Sequence, residues 1–291
     1  MSNAIASGLH VETFFDPATS TFSYLLLDPL SRACALIDPV WDFDIASGRC
    51  STASADLLLQ RVKELNAQVE WILETHVHAD HLSASDYLRR HTGGRVAIGK
   101  QVTVVQAVFS KRLGQSLGDD EQRFDHLFTD DEAFCIGTVE ARAWHTPGHT
   151  PACVTYVVGD AVFVGDTLFM PDCGTARCDF PGGDARALYA SIQRILGLPP
   201  HMRLYVCHDY PPDGRVAIAC TTVAAQRAGN IHVGHGIGED VFIQMRRARD
   251  ATLATPKLFW PALQVNIRGG RLPPTEVNGV RYLRLPVSLG G

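Results

Sequence analysis

The chain has 291 residues, 46% hydrophobic and 20% charged, with a formal charge of −5 and a pI near 6.2. A chain of that length buries about 75% of its unfolded surface and needs no staples to hold a core. Its acidic balance offers no footprint for nucleic acid or an anionic membrane, so a soluble enzyme or small-ligand binder is the class to test.

Met1–Phe15 lacks a basic stretch followed by an apolar one, and no signal peptide is expected. No apolar run approaches the roughly 20 residues of a membrane span. The eight cysteines are scattered, with no C-x-x-C, which suits reduced thiols in the cytoplasm. Cys173 and Cys178 are the only close pair, and two incidental loop thiols outweigh a redox couple there.

In chain order, Leu9–Phe15, Phe22–Leu27 and Ala33–Ile37 read as strands closed by turn residues such as Asp28-Pro29 and Asp38-Pro39. Ala55–Leu65 has helical spacing, with Ser54 as its cap. Val69–Leu73 is a short strand. Ser83 caps the next helix, with Tyr87 and Leu88 facing inward. Arg95–Ile98 is predicted as strand and Val102–Leu113 as helix. Val139–Trp144, Cys153–Val158 and Ala161–Val164 are strands between Gly and Pro turns. Ala185–Leu196 is a helix, Leu204–Cys207 a strand, and Thr222–Ala228 and Asp240–Ala251 helices. Beyond Pro256, Leu263–Ile267 and Tyr282–Leu285 read as extended pieces. Two successive blocks of strands followed by helices suggest two packed sheets with helices outside.

The chemistry concentrates in Thr75-His76-Val77-His78-Ala79-Asp80-His81. In an extended segment side chains alternate, so His76 and His78 project to one side. A turn through Ala79 returns Asp80 and His81 toward them. Three imidazoles and a carboxylate suit zinc, iron(II) or manganese(II). The bland alternative, a polar turn capping a helix, does not need three histidines. Further candidates follow other strands: His149 in His145-Thr146-Pro147-Gly148-His149, Asp166 after Val162-Phe163-Val164-Gly165, and His208 after Leu204-Tyr205-Val206-Cys207. Loops held by a rigid sheet are where sites assemble. His145 reads more readily as a strand-end hydrogen bond than as a ligand's support. The other histidines (10, 91, 126, 201, 232 and 235) read as surface or structural.

In this order, H-x-H-x-D-H at His76–His81, G-H-T-P at His149, G-D at Asp166 and H-D-Y at His208 resemble the metallo-β-lactamase fold superfamily over about Leu9–Ala228. The resemblance implies an αβ/βα four-layer sandwich with two central mixed β-sheets flanked by helices. The chain is expected to be one domain, 1–291, with 230–291 a helical and extended carboxy-terminal extension. Gly165-Asp166-Thr167-Leu168, Cys173-Gly174, Arg177-Cys178-Asp179-Phe180 and Cys207-His208-Asp209-Tyr210 are most similar to the persulfide (sulfur) dioxygenases, with glyoxalase II the next relative. In the mitochondrial-type enzymes the C-G and R-x-D-F elements are contiguous, whereas Thr175-Ala176 separates them here.

The resemblance implies one iron(II) held by His76, His149 and Asp166, oxidising a thiol persulfide such as glutathione persulfide with O₂ to sulfite and free thiol. His78, Asp80, His81 and His208 would then orient the ligands and carry protons. Tyr210 and Arg177 are candidates for contacting the thiol carrier, since Arg suits a carboxylate through its fork; a structural Arg177–Asp179 pair is the equal alternative. The glyoxalase II alternative is a zinc (one or two per chain) or mixed-metal thioester hydrolase, with His76, His78 and His149 on one metal, Asp80, His81 and His208 on the other, and Asp166 bridging in its dinuclear form. No nucleic-acid or membrane partner is expected, and the family and the apolar segment Leu258–Ile267 are compatible with a homodimer.

Overall fold

The amino-terminal strands β1 (His10–Asp16), β2 (Thr21–Leu27) and β3 (Ala33–Ile37) form an antiparallel meander. β2 and β3 are buried along their whole length, which accounts for their near-continuous apolar runs. The computed structural model describes residues 8–114 and 124–287, so residues 1–7 of the stretch examined for a signal peptide lie outside it. A short hairpin follows, β4 (Val40–Asp44) with β5 (Arg49–Ser51), and leads into α1 (Ala53–Glu64). Ser54 is not the cap of α1 but lies inside it. Asp42 of β4 accepts the Ser54 N–H (3.0 Å) and hydroxyl (2.7 Å), so the start of the helix is capped from a neighbouring strand.

β6 (Gln68–Leu73) returns parallel to β3, and the histidine-rich segment runs from its end to the two-residue strand β7 (Leu82–Ser83), which pairs with β4. α2 (Ser85–Thr92) has Ala84, not the expected Ser83, at its cap position, and no side chain caps it; the Ser83 hydroxyl, one residue earlier, accepts the Ser85 N–H at 3.0 Å. Leu88 is buried, and Tyr87 is half-buried with its hydroxyl on Asp56. β8 (Arg95–Gly99), α3 (Val102–Leu113) and β9 (His126–Phe128) complete a six-stranded sheet ordered β1-β2-β3-β6-β8-β9.

The second six-stranded sheet runs in sequence order: β10 (Glu132–Ile136), β11 (Val139–His145), β12 (Val154–Val158), β13 (Ala161–Phe163), β14 (Arg203–Tyr205) and β15 (Cys220–Thr222). α4 (Ala185–Leu196) crosses from β13 to the parallel β14, and α5 (Val223–Gly229) and α6 (Glu239–Asp250) follow. The sheets meet through Tyr24, Leu26, Ile37 and Leu73 on one side and Val154, Tyr156, Phe163 and Tyr205 on the other. Alternate residues face outward: Leu25, Leu36 and Ile72 pack on α1 and α2, and Val162 and Leu204 on α4 and α6. This is the four-layer αβ/βα sandwich.

The carboxy-terminal expectations change. Leu263–Ile267 is not extended; its residues belong to α7 (Phe259–Asn266) and its cap. Pro261 sits in the first turn, where the missing N–H leaves no helical bond unmade. Most of α7 is buried, so no polar stripe marks its period. Tyr282–Leu285 has no regular structure, though the Arg284 N–H donates to Gln264 at 2.7 Å. No helix of the described residues is long and apolar enough to cross a membrane.

Candidate metal centre

β3 and β6 are parallel neighbours, so the residues just past their ends, Asp38 and Thr75–His81, share one edge of the first sheet. In the second sheet β13 and β14 are parallel, and β11 runs in the same sense through two antiparallel steps. His149, Asp166 and His208 follow the ends of these strands and meet the first group across the sandwich. Two glycines allow the approach. Gly165 has φ +52° and would place a Cβ 2.7 Å from the Thr75 hydroxyl, while Gly148 has φ +146° and would drive one into Leu188 at 2.3 Å.

All seven expected ligand residues converge, in two groups. His76, His149 and Asp166 offer atoms within 4.8 Å of one another, and so do His78, Asp80, His81 and His208. His78 thus falls with the second group, not with His76 and His149 as the two-zinc scheme divides them. Asp166 faces both. Its Oδ2 is 3.8 Å from His76 Nε2 and 3.6 Å from His149 Nε2, while its Oδ1 is 3.4 Å from His208 Nε2.

Each imidazole gives one nitrogen to the protein. His149 Nδ1 donates to the Arg177 carbonyl (2.7 Å), and His208 Nδ1 approaches the Ser20 carbonyl (3.3 Å). His76 Nδ1 meets the Thr75 hydroxyl (3.0 Å), which itself donates to Asp38. His78 Nε2 is held by Asp38 (2.9 Å), and His81 Nδ1 lies 3.4 Å from the Thr21 hydroxyl. The other nitrogens are left over. His76 Nε2, His78 Nδ1, His81 Nε2, His208 Nε2 and Asp166 Oδ1 are all buried without a hydrogen-bond partner. Buried polar atoms are rarely orphaned, and five of them shared between these two adjoining groups fit metal binding.

The electrostatics agree with that assignment. Burial, and then the neighbouring imidazoles, hold His76 well below the ordinary histidine range, leaving a neutral ring able to ligate. Burial works against charge on His78 too, but Asp38 and Glu74 outweigh it and hold that ring protonated. A metal at Nδ1 would displace the proton. Asp80 is only partly buried; burial raises the cost of its charge, yet His208 and His81 outweigh that and keep its carboxyl far below the usual range.

A cavity of about 410 Å³ opens on Asp80, His149 and Asp166, walled by Phe169, Phe180, Cys173 and Tyr210. Tyr210, half exposed, stacks on His208 with centroids 5.7 Å apart. Arg177 also lines the cavity, but its fork is engaged by Asp179 (2.6 Å twice) and the Ala254 carbonyl (2.7 Å). A substrate carboxylate would have to compete with Asp179. The Cys173 thiol, pushed up to about 11 by burial and then by Asp209 and Asp172, is a neutral wall group, and Cys173 and Cys178 are both free.

Several contributors do not stand out in the sequence. Asp38 reads there as half of an Asp-Pro turn, and its place at the end of a strand parallel to β6 is the available signal. Asn266 of α7 donates to the His78 and His81 carbonyls and accepts the Ser83 N–H, each at 2.8 Å. α6 brings Arg246 and Arg249 to the cavity wall. His145 Nε2 is on the Pro151 carbonyl at 2.7 Å, the strand-end bond expected.

A family model described as the metallo-beta-lactamase superfamily matches residues 17–208. The chain is 57% identical to a probable metallo-hydrolase of Burkholderia pseudomallei, covering 95% of this chain and 98% of that one. It is 47% identical to glyoxylase B2 of Dictyostelium discoideum, over 96% and 97%. It is 33% identical to the human mitochondrial persulfide dioxygenase ETHE1, over 90% and 89%. Among solved structures, ETHE1 from Myxococcus xanthus superposes with a TM-score of 0.72 at 30% identity, covering 90% of this chain and all of that one.

Proposed function

The chain belongs to the metallo-beta-lactamase superfamily, and from that premise we propose that it is a mononuclear non-haem iron persulfide dioxygenase. The observation that supports this reading is that His76, His149 and Asp166 form a group of their own, with ligand atoms within 4.8 Å of one another, and that His149 and Asp166 face the 410 Å³ cavity. Two imidazoles and one carboxylate form the facial set that leaves positions open on iron(II). The likeness to persulfide dioxygenases in sequence and in structure supports it.

In this reading His76, His149 and Asp166 hold one iron(II) per chain, which when bound supplies open positions for a sulfur ligand and for O₂. A persulfide R–S–SH, O₂ and water give R–SH, sulfite and two protons. The protein does the rest. Phe169 and Phe180 keep water from the sulfur end of the cavity. Thr75 and the Arg177 carbonyl fix the rings of His76 and His149. His208, oriented by the Asp80 carboxylate 3.3 Å from its Nε2, carries the released protons away. At the mouth, the Tyr210 hydroxyl and the Arg249 guanidinium, which has no ion pair among the described residues, meet the polar body of an anionic thiol carrier such as glutathione.

A second reading, a dinuclear thioester hydrolase, is favoured by the two-sided placement of Asp166 and by the hydrolase and glyoxylase names of two relatives. Metal analysis of anaerobically purified protein, with oxygen uptake on glutathione persulfide, decides between them. One iron per chain with persulfide-dependent uptake is expected. Two zincs, thioester cleavage and no oxygen uptake would overturn the dioxygenase. His208→Ala should leave the iron content near one per chain, whereas a dinuclear site would lose a metal.

A further inference from the structure

A second cavity, of about 450 Å³, reaches the ligand cluster from another side. The β1–β2 turn and the β4–β5 hairpin wall it, and its lining includes His81, which the first cavity does not touch. His81 is 1% exposed, and its Nε2 has no partner. Asp16, Asp42 and Asp44 also line the cavity, with Arg49 as the single Lys or Arg. Each carboxylate is held by a local turn or helix start: Asp16 by the Ala18 and Thr19 N–H groups, Asp42 by Ser54, and Asp44 by Ala46 and Ser47. None has an arginine or lysine ion pair among the described residues. The first cavity, in contrast, balances Asp80, Asp166 and Asp172 with Arg177, Arg246 and Arg249 in its wall. The cluster therefore lies between a mouth of balanced charge and one with an excess of carboxylates.

We propose that the second cavity is the route by which a divalent cation reaches the ligand cluster, with Asp16 and Asp44 drawing the ion in and His81 as its first inner contact. The inference rests on the metal-binding reading of the cluster, but not on which reaction the metal serves. A mouth with excess negative charge and low-dielectric walls raises the local cation concentration and the entry rate, and salt screens the effect. The same charges disfavour an anionic thiol carrier, so cation and substrate enter by different mouths.

The test is the rate of Co²⁺ uptake by the metal-stripped full-length chain, followed by visible absorption. At low ionic strength, Asp16→Asn with Asp44→Asn should slow uptake on the order of 5-fold, and the difference should close at high salt. Asn keeps an acceptor for each turn, so the fold is retained. Equilibrium Co²⁺ affinity, from competition with a chelator, should stay as in the native chain. Ala18→Trp, which narrows the mouth, should slow uptake at every salt concentration. Arg249→Glu, at the other mouth, should leave the rate of Co²⁺ uptake as it is. Uptake unaltered by both the charge and the Ala18→Trp variants would overturn the route, as would acceleration by Arg249→Glu. A loss of equilibrium affinity matching the loss of rate would make the aspartates part of the site and also overturn it. If the native chain takes up no Co²⁺, the metal reading falls and the route falls with it.

Discussion

Asp38 is 1% exposed and carries three hydrogen bonds, from the Thr75 N–H (2.7 Å), the Thr75 hydroxyl (2.8 Å) and His78 Nε2 (2.9 Å). Burial raises the cost of its charge, but His78 and the Thr75 donors outweigh that and hold the carboxyl below the usual range. By taking Nε2, Asp38 decides that His78 presents Nδ1 to the centre. Asp38→Ala removes the acceptor of His78 Nε2 and of both Thr75 donors, leaving only Glu74, at 3.3 Å, beside the His78 ring. A loss of about 3 kcal/mol or more in unfolding free energy is expected, read from urea melts of the metal-stripped chain. Metal affinity should fall about 10- to 100-fold. Unchanged stability would mean that His78 and Thr75 find other partners.

His232 supplies a pH dependence at the same scale. It is buried, and its Nδ1 accepts the Thr175 N–H at 2.9 Å, which anchors the Thr175-Ala176 departure from the mitochondrial pattern. Burial, then Arg246 and Arg249, push its pKa down to about 4. An unfolded histidine titrates near 6.5. Between those values the unfolded chain binds the extra proton, so stability rises with pH across that window and is lost as pH falls from about 6.5 to 4. His232→Gln keeps an acceptor without a titration. Its unfolding free energy should fall less steeply than the native chain's between pH 6.5 and 4.5; parallel curves would remove His232 as a cause.

At the scale of elements, α7 holds the ligand loop in place. Asn266 closes three bonds between the helix and the 78–83 backbone, and Gln106 of α3 donates to the Ile267 carbonyl at 2.8 Å behind it. Asn266→Leu leaves one N–H and two carbonyls buried without partners, at about 1–3 kcal/mol each before relaxation. A drop of about 3 kcal/mol in urea melts is expected, with weaker metal binding in chelator competition. Asn266→Asp keeps the Ser83 bond but turns two donors into acceptors facing carbonyls, and should do no better.

Elements and ligands were legible in the sequence to different depths for physical reasons. Ala33–Ile37, Val102–Leu113 and Ala185–Leu196 match their observed bounds because continuous burial or a clear helical face shapes the whole segment. β4, with only Val40 fully buried, and the three-residue β5, β9 and β15 carry too little pattern to be seen. α7 hid its period because its buried residues surround the helix axis. The histidines stood out because so many ligands in so short a span have no cheap structural use. Asp38, Asn266 and Arg249 did not, since a lone polar residue acquires its role only from what the fold sets against it.

For the whole molecule, we propose that the chain is a single domain with 230–291 part of the same folding unit, for reasons of packing. Phe242 and Ile243 of α6 are buried in the same cluster as Leu188 and Ile192 of α4 and Val162 of β13. Phe259 and Leu263 of α7 share a cluster with Val77, Ile98 and Phe109. An appendage would keep its own core, whereas these side chains complete cores founded on the sheets. Tryptophans report on both parts: Trp71 lies in the core between the sheets, and Trp260 on α7 packs beside Phe259. In variants retaining only one of these two, with Trp41 and Trp144 replaced by Phe, urea unfolding followed by fluorescence should give coincident midpoints. A lower midpoint at Trp260 would make the carboxy-terminal segment an independent unit. The Asn266 bonds would then open before the sheets unfold, and metal would be lost in that first transition.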